Sequence, residues 1–478
     1  MFSRRNFLTG AGALAALPLM PRIVRAQTAV NRLAMPPLLD ATETGQFALN
    51  AQAGVTNFIG QADSVTWGFN QSFLGPVVRM RATGETRAEV TNALDEAVSV
   101  HWHGLVAPGD VDGGPHQLVQ VGDTWRPTLP VDQPAATIWY HSHTHGETGR
   151  QVYNGLAGVI HLTDGEDDAR GLPAEYGVDD LTLVLQDRFL GQDGRMEYAL
   201  SMHDRMMGFM GNAMVINGQV GATAVVPKGI VRLRLLNGSN ARIYGLRMSD
   251  NRPLHLIGTD SGLLDRPAAL GFLTLAPGER YEVLVDFGDG REVSLVSEQS
   301  LRADLGGGDP SVPPFEVLPF AVDPALPARI TRLPEEIGGT RPDLAADSAI
   351  ARQISLDMGM GPMAMMNGGS PHAINGQSFD MHRLNFQVGL GGLERWSVSA
   401  SMMLHPFHVH GVKFQVLSEN GAPPRVQNTG WKDTVLVNGQ AEVLMRFDQP
   451  ASAKLPFMFH CHILEHEDGG MMGQFAVA

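Results

Sequence analysis

Short runs of alternating or continuously apolar residues recur along the whole chain, and few segments have a helical period. Four of the clearest runs are residues 87–92, 231–236, 281–287 and 442–447. Glycine, proline and asparagine bound these runs, a pattern typical of β-sandwich proteins. The 55 glycines and 30 prolines agree with a chain that makes many turns. We therefore predict an all-β protein.

Internal repetition indicates three units of similar size. The tetrapeptide Ile-Asn-Gly-Gln begins at Ile216 and again at Ile374, and a turn and a strand-like run follow each copy. We place the three domains at residues 27–165, 166–325 and 326–478, with a proline-rich linker at 310–334. Only the first and third units contain clustered histidines, so the middle unit is interpreted as a spacer that has no metal ligands.

The first 26 residues are typical of an export signal. Arg4 and Arg5 precede an apolar run, and Val24-Arg25-Ala26 is a small-residue cleavage site. The paired arginines predict twin-arginine export of the folded protein to the periplasm. The apolar run is shorter than the ~20 residues that span a bilayer, and no later segment qualifies. We expect an exported protein without a membrane span.

Charge and cysteine content narrow the function further. A formal net charge of −15 disfavours nucleic acid as a partner. Exported proteins usually contain disulfides, yet Cys461 is the only cysteine and has no intramolecular partner. Metal ligation would explain why a lone thiol persists in an oxidising compartment.

Two segments are rich in methionine. Met202, Met206 and Met210 recur every four residues and predict a helix whose methionines pack in a core. The second segment, residues 356–366, is broken by glycine and proline and is expected to expose its thioethers. Exposed soft ligands of this kind favour cuprous ions.

The tripeptide His460-Cys461-His462 is the centre of the predicted chemistry. Successive side chains of a strand point to opposite faces, so the cysteine would face one way and both histidines the other. Thiolate suits an electron-transfer copper, and imidazole suits coppers that handle dioxygen. Ten of the 17 histidines form four clusters: His101 and His103; His141 and His143; His405, His408 and His410; His460, His462 and His466.

These motifs resemble those of the multicopper oxidases. They read His-Trp-His-Gly, His-Ser-His, His-Pro-Phe-His-Val-His-Gly and His-Cys-His-x3-His-x4-Met. Within that family the chain is similar to bacterial periplasmic cuprous oxidases of copper tolerance, and the likeness extends to residues 111–115, 430–434 and 465–467. The resemblance implies three consecutive cupredoxin-like Greek-key domains and four copper ions, one of type 1, one of type 2 and two of type 3.

The resemblance also implies a role for each ligand. Type 1 copper would bind His405, Cys461, His466 and the axial Met471, although spacing alone does not choose between Met471 and Met472. The remaining ligands would be His101 and His408 for type 2 copper, His103, His141 and His462 for one type 3 copper, and His143, His410 and His460 for the other. Asp112 and Glu467 would supply protons or orient histidines.

A substrate copper would lie beside the type 1 site in this comparison. Asp357, Met358, Met360 and Met403 occupy the corresponding positions. The sequence departs from the cuprous oxidases at Ser401, where they have an acid, and in its shorter methionine-rich insert. The other seven histidines are interpreted as structural or surface residues, with His145, which is close to His143 in the sequence, as the candidate exception; they are His116, His145, His161, His203, His255, His372 and His382.

Three hypotheses follow for the function. The first is oxidation of Cu(I) by dioxygen for periplasmic copper tolerance, with water as the product. The second is a laccase-type oxidase of small phenols. The third is a non-catalytic exported protein that binds copper or interacts with the cell envelope. We expect a monomer whose partners are dioxygen and a small electron donor.

Overall fold

The structure is a computed structural model that describes residues 31–298, 313–342, 344–346, 349–359 and 371–478. The predicted export signal lies outside the described residues, as do Met360 and the rest of the methionine-rich segment to Met366. Among the described residues no helix is long and apolar enough to cross a membrane.

The first domain is a sandwich of two sheets. One sheet has the order β1-β4-β10-β9-β6, and the other has the order β3-β2-β5-β7 with β8 also paired to β5. The strands are β1 (Leu38–Asp40), β2 (Gln46–Thr56), β3 (Ser64–Phe69), β4 (Val77–Arg81), β5 (Thr83–Asn92), β6 (Val100–His101), β7 (Thr124–Trp125), β8 (Thr128–Asp132), β9 (Ala136–Ser142) and β10 (Ala157–Thr163). The end of β6 and the end of β9 carry the first two histidine motifs.

The middle domain is a second two-sheet sandwich. Its sheets have the orders β12-β11-β15-β20-β17-β18, with β13 on β11, and β14-β22-β21-β16-β19. The strands are β11 (Asp180–Leu190), β12 (Met196–Glu197), β13 (Ala213–Ile216), β14 (Ala224–Val226), β15 (Ile230–Asn237), β16 (Tyr244–Met248), β17 (Leu254–Thr259), β18 (Gly262–Leu270), β19 (Leu273–Leu275), β20 (Arg280–Asp286), β21 (Val293–Glu298) and β22 (Phe315–Val322).

The third domain is organised around one long strand. Its sheet has the order β24-β23-β26-β29-β30-β25, and β28 pairs with both β26 and β27. The strands are β23 (Ile350–Met358), β24 (His372–Ile374), β25 (Phe386–Val388), β26 (Leu393–Val409), β27 (Phe414–Glu419), β28 (Thr434–Arg446), β29 (Phe457–Cys461) and β30 (Met472–Val477). The register of β26 shifts between Ala400 and His405. Because of that irregularity, its first half pairs with β23 and its end pairs with β29.

Three separate apolar cores underlie the three domains. One is built around Trp102 and Tyr140, the next around Tyr244 and Tyr281, and the last around Trp396. All four runs that were singled out for their apolar pattern lie in strands, namely β5, β15, β20 and β28, which confirms the all-β prediction. The precise domain boundaries stay predictions.

The repeated Ile-Asn-Gly-Gln tetrapeptides form the same turn in the middle and third domains. Asn217 and Asn375 both have a φ of 51°, and each is followed by a glycine with positive φ. Isoleucine pairs with glutamine across each turn. Asn-Gly is the dipeptide that tolerates two successive positive φ angles, so the local sequence accounts for both hairpins.

Within the described ranges, three short helices join the strands: α1 (Thr148–Tyr153), α2 (Met202–Met207) and α3 (Leu464–Asp468); a 3-10 turn covers Val426–Asn428. Ser201 caps α2 by accepting from the amide of Asp204. None of the α2 residues is buried, and Met202 is 66% exposed. The helical prediction is correct for Met202 and Met206 but not for Met210, which follows the end of α2. The assignment of the stripe to a core is wrong, because α2 lies on the surface over α3.

Candidate metal centres

A buried sulfur site lies in the third domain, where β26, β29 and α3 meet. The Sγ of Cys461 is 3.3 Å from Nδ1 of His405 and 3.7 Å from Nδ1 of His466. The three ligand atoms lie within 4.8 Å of one another and all three side chains are buried. Burial raises the pKa of the Cys461 thiol. A bound cation would oppose that effect, because metal coordination deprotonates a thiol.

The strand register separates the two candidates for an axial thioether. His460 on β29 lies directly opposite Met472 on β30. Directly opposed residues of an antiparallel pair share one face, so Met472 shares the face of His460. Met471 is one residue away and therefore shares the face of Cys461, where it is buried in the third-domain core. This geometry supports Met471 over Met472 as the axial ligand.

The two faces of the His460-Cys461-His462 tripeptide carry different neighbours. Cys461 points to His405 and His466, whereas Nε2 of His460 lies 3.4 Å from Nε2 of His143 in the first domain. The same alternation on β26 places His405 with the sulfur site and sends His408 and His410 to the opposite side. One tripeptide thus contacts two separate groups of donor atoms.

The first histidine triplet on that opposite side comprises His143, His410 and His460. Their Nε2 atoms form a nearly equilateral triangle with sides of 3.2, 3.4 and 3.3 Å. The centre of such a triangle is about 1.9 Å from each corner, close to the ~2.0 Å bond between a metal and an imidazole nitrogen. Burial lowers the pKa of all three histidines, so the rings are neutral.

The Nδ1 atoms of this triplet face acceptors and therefore carry the protons. His410 donates to Oδ2 of Asp112 at 2.8 Å, and His460 donates to the carbonyl of Cys461 at 3.0 Å. Nδ1 of His143 lies 3.3 Å from Oε1 of Glu467. The Nε2 lone pairs consequently converge on one point, an arrangement that is repulsive unless a cation lies there. The triplet fits a metal ion.

The second triplet is His103, His141 and His462, whose donor atoms lie within 4.8 Å of one another. Nδ1 of His103 is 3.4 Å from Nε2 of His141. Neither ring nitrogen of His462 has a hydrogen-bond partner, although the ring is buried. A buried polar atom without a partner is costly, and a metal ion would satisfy it.

His101 and His408 form the remaining pair, together with His103. His101 donates through Nδ1 to the carbonyl of Asp112 at 2.9 Å, and His408 donates through Nδ1 to the carbonyl of Asp433 at 2.8 Å. The Nε2 atom of each ring is buried without a hydrogen-bond partner. These two nitrogens are the free donors that the type 2 assignment requires.

The two predicted carboxylates contact histidines of the clusters. Asp112 accepts from His410 and lies 3.4 Å from Nδ1 of His101. Glu467 is buried between His143 and His460, with an oxygen 3.2 Å from Nδ1 of His460. Burial raises the pKa of Glu467 well above its ordinary value. Both acids are thus placed to orient histidines; their part in proton supply stays a prediction.

Sequence reasoning missed a buried ionic group that joins the middle domain to these histidines. Arg280 at the start of β20 pairs with Asp433, and Nε2 of His103 donates to Asp433 at 3.1 Å. Burial opposes the charge of Asp433, but Arg280 holds the pKa of this carboxyl well below its ordinary value. Residues 430–434 had been noticed only as part of a family motif. The middle domain is therefore more than the spacer that was predicted.

The residues predicted for a substrate copper have other neighbours among the described parts of the chain. Met358 and Met403 are partly buried and pack against the third-domain core. Oδ2 of Asp357 accepts from Ser355 and from the amide of Gly376. Met360 lies outside the described residues. The packing thus gives two of the thioethers a structural role.

His372 has a position that its isolated place in the sequence did not indicate. Its ring stacks on that of His466, with centroids 4.4 Å apart and an angle of 24°. It is buried, and its Nε2 donates to the carbonyl of Arg205 at 2.9 Å. These contacts agree with the structural alternative for His372, and they add that the residue lies against a ligand of the sulfur site.

The fold and the clustered donors define a class, a three-domain β-sandwich protein with one sulfur site and a three-part histidine cluster. Family models described as multicopper oxidase match residues 352–478 and 50–167. The chain belongs to the multicopper oxidase family, as the motifs predicted, and its domains are cupredoxin-like. Membership implies copper binding.

Three proteins illustrate what this chain is similar to in sequence and in structure. A cell division protein FtsP of Xenorhabdus nematophila is 37% identical over 481 residues, with 99% of this chain and 98% of the relative covered. The laccase-like multicopper oxidase CueO of Ochrobactrum sp. is 41% identical with a TM-score of 0.87, covering 93% of this chain and 100% of that one. A laccase of Pediococcus acidilactici is 34% identical with a TM-score of 0.82, covering 95% of each chain.

The comparisons overturn one prediction. The chain was expected to oxidise Cu(I) for copper tolerance, but several curated relatives that match its full length are named cell division protein FtsP. The cuprous-oxidase assignment is therefore wrong, and the alternatives to it are better supported. The family motifs led to the wrong substrate because they identify only the residues that bind copper. Oxidases of different electron donors share these residues, so the motifs do not identify the electron donor.

Proposed function

We propose that this chain is a laccase-type copper oxidase that takes single electrons from small aromatic donors and passes them to dioxygen. The observation that carries the proposal is the completeness of the buried donor set. All ten clustered histidines and Cys461 are buried, and their donor atoms converge in groups that could each hold a metal ion. A protein that only kept the scaffold would have no physical reason to bury so many unpaired nitrogens.

The proposal assigns four copper ions to these groups. His405, Cys461, His466 and Met471 would hold type 1 copper, and His101 and His408 would hold type 2 copper. The type 3 ions would be held by His103, His141 and His462 and by His143, His410 and His460. When bound, these four ions would supply one-electron redox chemistry, and together they could hold the four electrons that reduce one dioxygen to two waters.

The chain's own residues organise this transfer. Cys461 is covalently continuous with His460 and His462, so the backbone of three residues joins the sulfur site to both type 3 groups. Asp112 accepts from Nδ1 of His410, which leaves Nε2 of that ring free as a ligand, and Glu467 lies 3.3 Å from Nδ1 of His143. The full burial of the clusters excludes bulk water from the oxygen-reducing centre.

A cavity beside the sulfur site supports a small organic donor. It has a volume of about 710 Å³, within the range of sites for drug-sized ligands. Tyr198, Met206 and His372 are among its lining residues. Nε2 of His466 donates to the carbonyl of Met206 at 3.0 Å, and the ring of His372, which lines the cavity, stacks on the ring of His466. The similar protein of Ochrobactrum is described with oxidase activity towards lignin model compounds.

Replacement of His372 by leucine is expected to slow reduction of the blue copper by a phenol about tenfold, the effect typical of losing a residue that supports a metal ligand. The aromatic contact with His466 and the hydrogen bond to Arg205 are both lost. Anaerobic stopped-flow bleaching of the blue absorbance measures the rate. His255→Leu on β17 is the control, since His255 lies in the middle domain away from the cavity. An unchanged rate in His372→Leu would exclude this route for the electron.

Oxygen uptake by the copper-reconstituted chain tests the oxidase proposal itself. A methoxyphenol should drive uptake of one dioxygen for every four donor molecules oxidised, because four electrons are needed for each dioxygen. Release of hydrogen peroxide instead, or no uptake at full copper loading, would refute the proposal.

The 37% sequence identity to cell division proteins over nearly the full length favours a second candidate function. In that case the chain is an exported protein that acts at the cell envelope during division. Export to the periplasm by the twin-arginine route belongs to both candidates. A strain that lacks the chain should show a division defect if the second candidate is correct. Complementation with Cys461→Ser distinguishes the two. Rescue of division without oxidase activity favours the second candidate, whereas rescue that needs the thiol links division to the copper chemistry.

A further inference from the structure

We propose that Arg280, a residue of the middle domain, positions two histidines of the copper cluster through Asp433. No described residue of the middle domain belongs to a proposed copper group, so this would give the domain a direct part in metal binding. The inference rests on the copper sites of the proposed function, but not on the identity of the electron donor.

Arg280 holds Asp433 with both arms of its guanidinium group. Nη1 donates to Oδ1 at 2.7 Å and Nη2 donates to Oδ2 at 2.5 Å. Both side chains are completely buried. A bidentate pair of this kind fixes the carboxylate plane as well as its position. Arg280 itself is anchored by the carbonyls of Gly278, Thr137 and Asp260.

Asp433 then contacts histidines from two different domains. Its Oδ1 accepts from Nε2 of His103 in the first domain, and its backbone carbonyl accepts from Nδ1 of His408 in the third. The proton of His103 is thereby held on Nε2, and Nδ1 is left to face His141. The hydrogen bond from Nδ1 of His408 to the carbonyl of Asp433 leaves Nε2 of His408 as the nitrogen that can bind a metal ion. One aspartate thus selects the ligand atom of two histidines.

The surrounding residues prevent Asp433 from turning away. Oδ2 also accepts from the hydroxyl of Ser261 at 3.0 Å. Oδ2 of Asp260 accepts from the amides of Asp433 and Thr434, each at 3.2 Å. Lys432 pairs with Asp260 at 3.0 Å and is completely buried. Through these hydrogen bonds, β20 and the turn after β17 in the middle domain hold the backbone at the start of β28. Asp433, which contacts both histidines, lies immediately before β28.

The test compares two buried arginines of the middle domain in the full copper-reconstituted chain. Arg280→Lys keeps the positive charge but loses the planar fork. Arg232→Lys is the matched control, because Arg232 is also buried and pairs with Glu282 through two nitrogens, but contacts no histidine of the cluster. The readouts are copper per chain, the electron paramagnetic resonance signal of the non-blue cupric ion, the blue absorbance and the unfolding temperature.

We expect Arg280→Lys to bind the cluster copper about 10- to 100-fold more weakly, with the blue absorbance retained. Arg232→Lys should lower only the unfolding temperature. The inference is overturned if Arg280→Lys keeps the wild-type copper content and non-blue signal, or if both variants lose copper in proportion to their loss of stability.

A second variant keeps the test decisive if Arg280→Lys does not fold. Arg280→Met with Asp433→Leu removes both charges together, so no unpaired ion remains in the interior. Weak cluster binding in this folded double variant supports the inference, and normal binding overturns it. If the wild-type protein bound no copper, the proposed function itself would be refuted. Failure of the proposed function is therefore distinguishable from failure of the inference about Arg280.

Discussion

Cys461→Ser is expected to abolish the blue absorbance and to lower oxidase activity by about a thousandfold or more, since the electron path begins at the removed thiolate. The side chain is completely buried, and a hydroxyl occupies nearly the same volume as the thiol. The three histidine groups on the other face are untouched, so the cluster copper should remain bound. Visible absorbance, copper analysis and oxygen uptake measure the three effects.

The matched control for that substitution is Ala441→Ser on β28, which places a hydroxyl in the same core without touching a ligand. It should keep both colour and activity. A Cys461→Ser protein that is still blue and active would contradict the assignment of the sulfur site. Loss of all copper from Cys461→Ser would show that the two kinds of site do not form independently.

Glu467→Gln is expected to lower oxidase activity about 10- to 100-fold while leaving the blue absorbance unchanged. Glu467 places one carboxylate oxygen near Nδ1 of His143 and the other near Nδ1 of His460, which also donates to the carbonyl of Cys461. A glutamine side chain carries no charge and offers one oxygen and one NH2 group, so its NH2 group would face the Nδ1–H of one of the two histidines. The magnetic and visible spectra of the cluster report the disturbed pair.

Glu394→Gln provides the comparison for Glu467→Gln. Glu394 is a buried acid of the same domain, but it pairs with Arg352 and Trp396 and lies away from the clusters. Its substitution should lower the unfolding temperature and leave turnover per copper intact. If Glu467→Gln turned over at the wild-type rate, Glu467 would be a structural acid only.

The alternation of side chains along a strand was sufficient to predict that Cys461 and its two flanking histidines face opposite sides. Because His460, Cys461 and His462 lie at the end of a strand, their opposite orientations follow from local backbone conformation alone. The three-domain β architecture was predictable for the same reason, since short apolar runs and Asn-Gly turns are local features. The pairing of histidines from the two chain ends came only from the family resemblance.

Features that depend on packing between domains could not be predicted. Arg280 lies in a run of alternating residues with no histidine or cysteine nearby, and its role appears only when β20 meets Asp433. His372 has no neighbouring histidine in the sequence, yet β24 places it on His466. The α2 methionines fit a helical stripe, but a period does not tell whether the stripe faces a core or solvent.

The division of ligands between the first and third domains has a consequence for stability. Metal held jointly by His143 and His410 acts as a cross-link across more than half of the sequence, so it restricts the unfolded chain by closing a long loop. Closed loops of this kind are the usual contribution of disulfide bonds. A chain with a single cysteine has no intramolecular disulfide bond. Bound copper would instead supply the cross-link that restricts the unfolded chain.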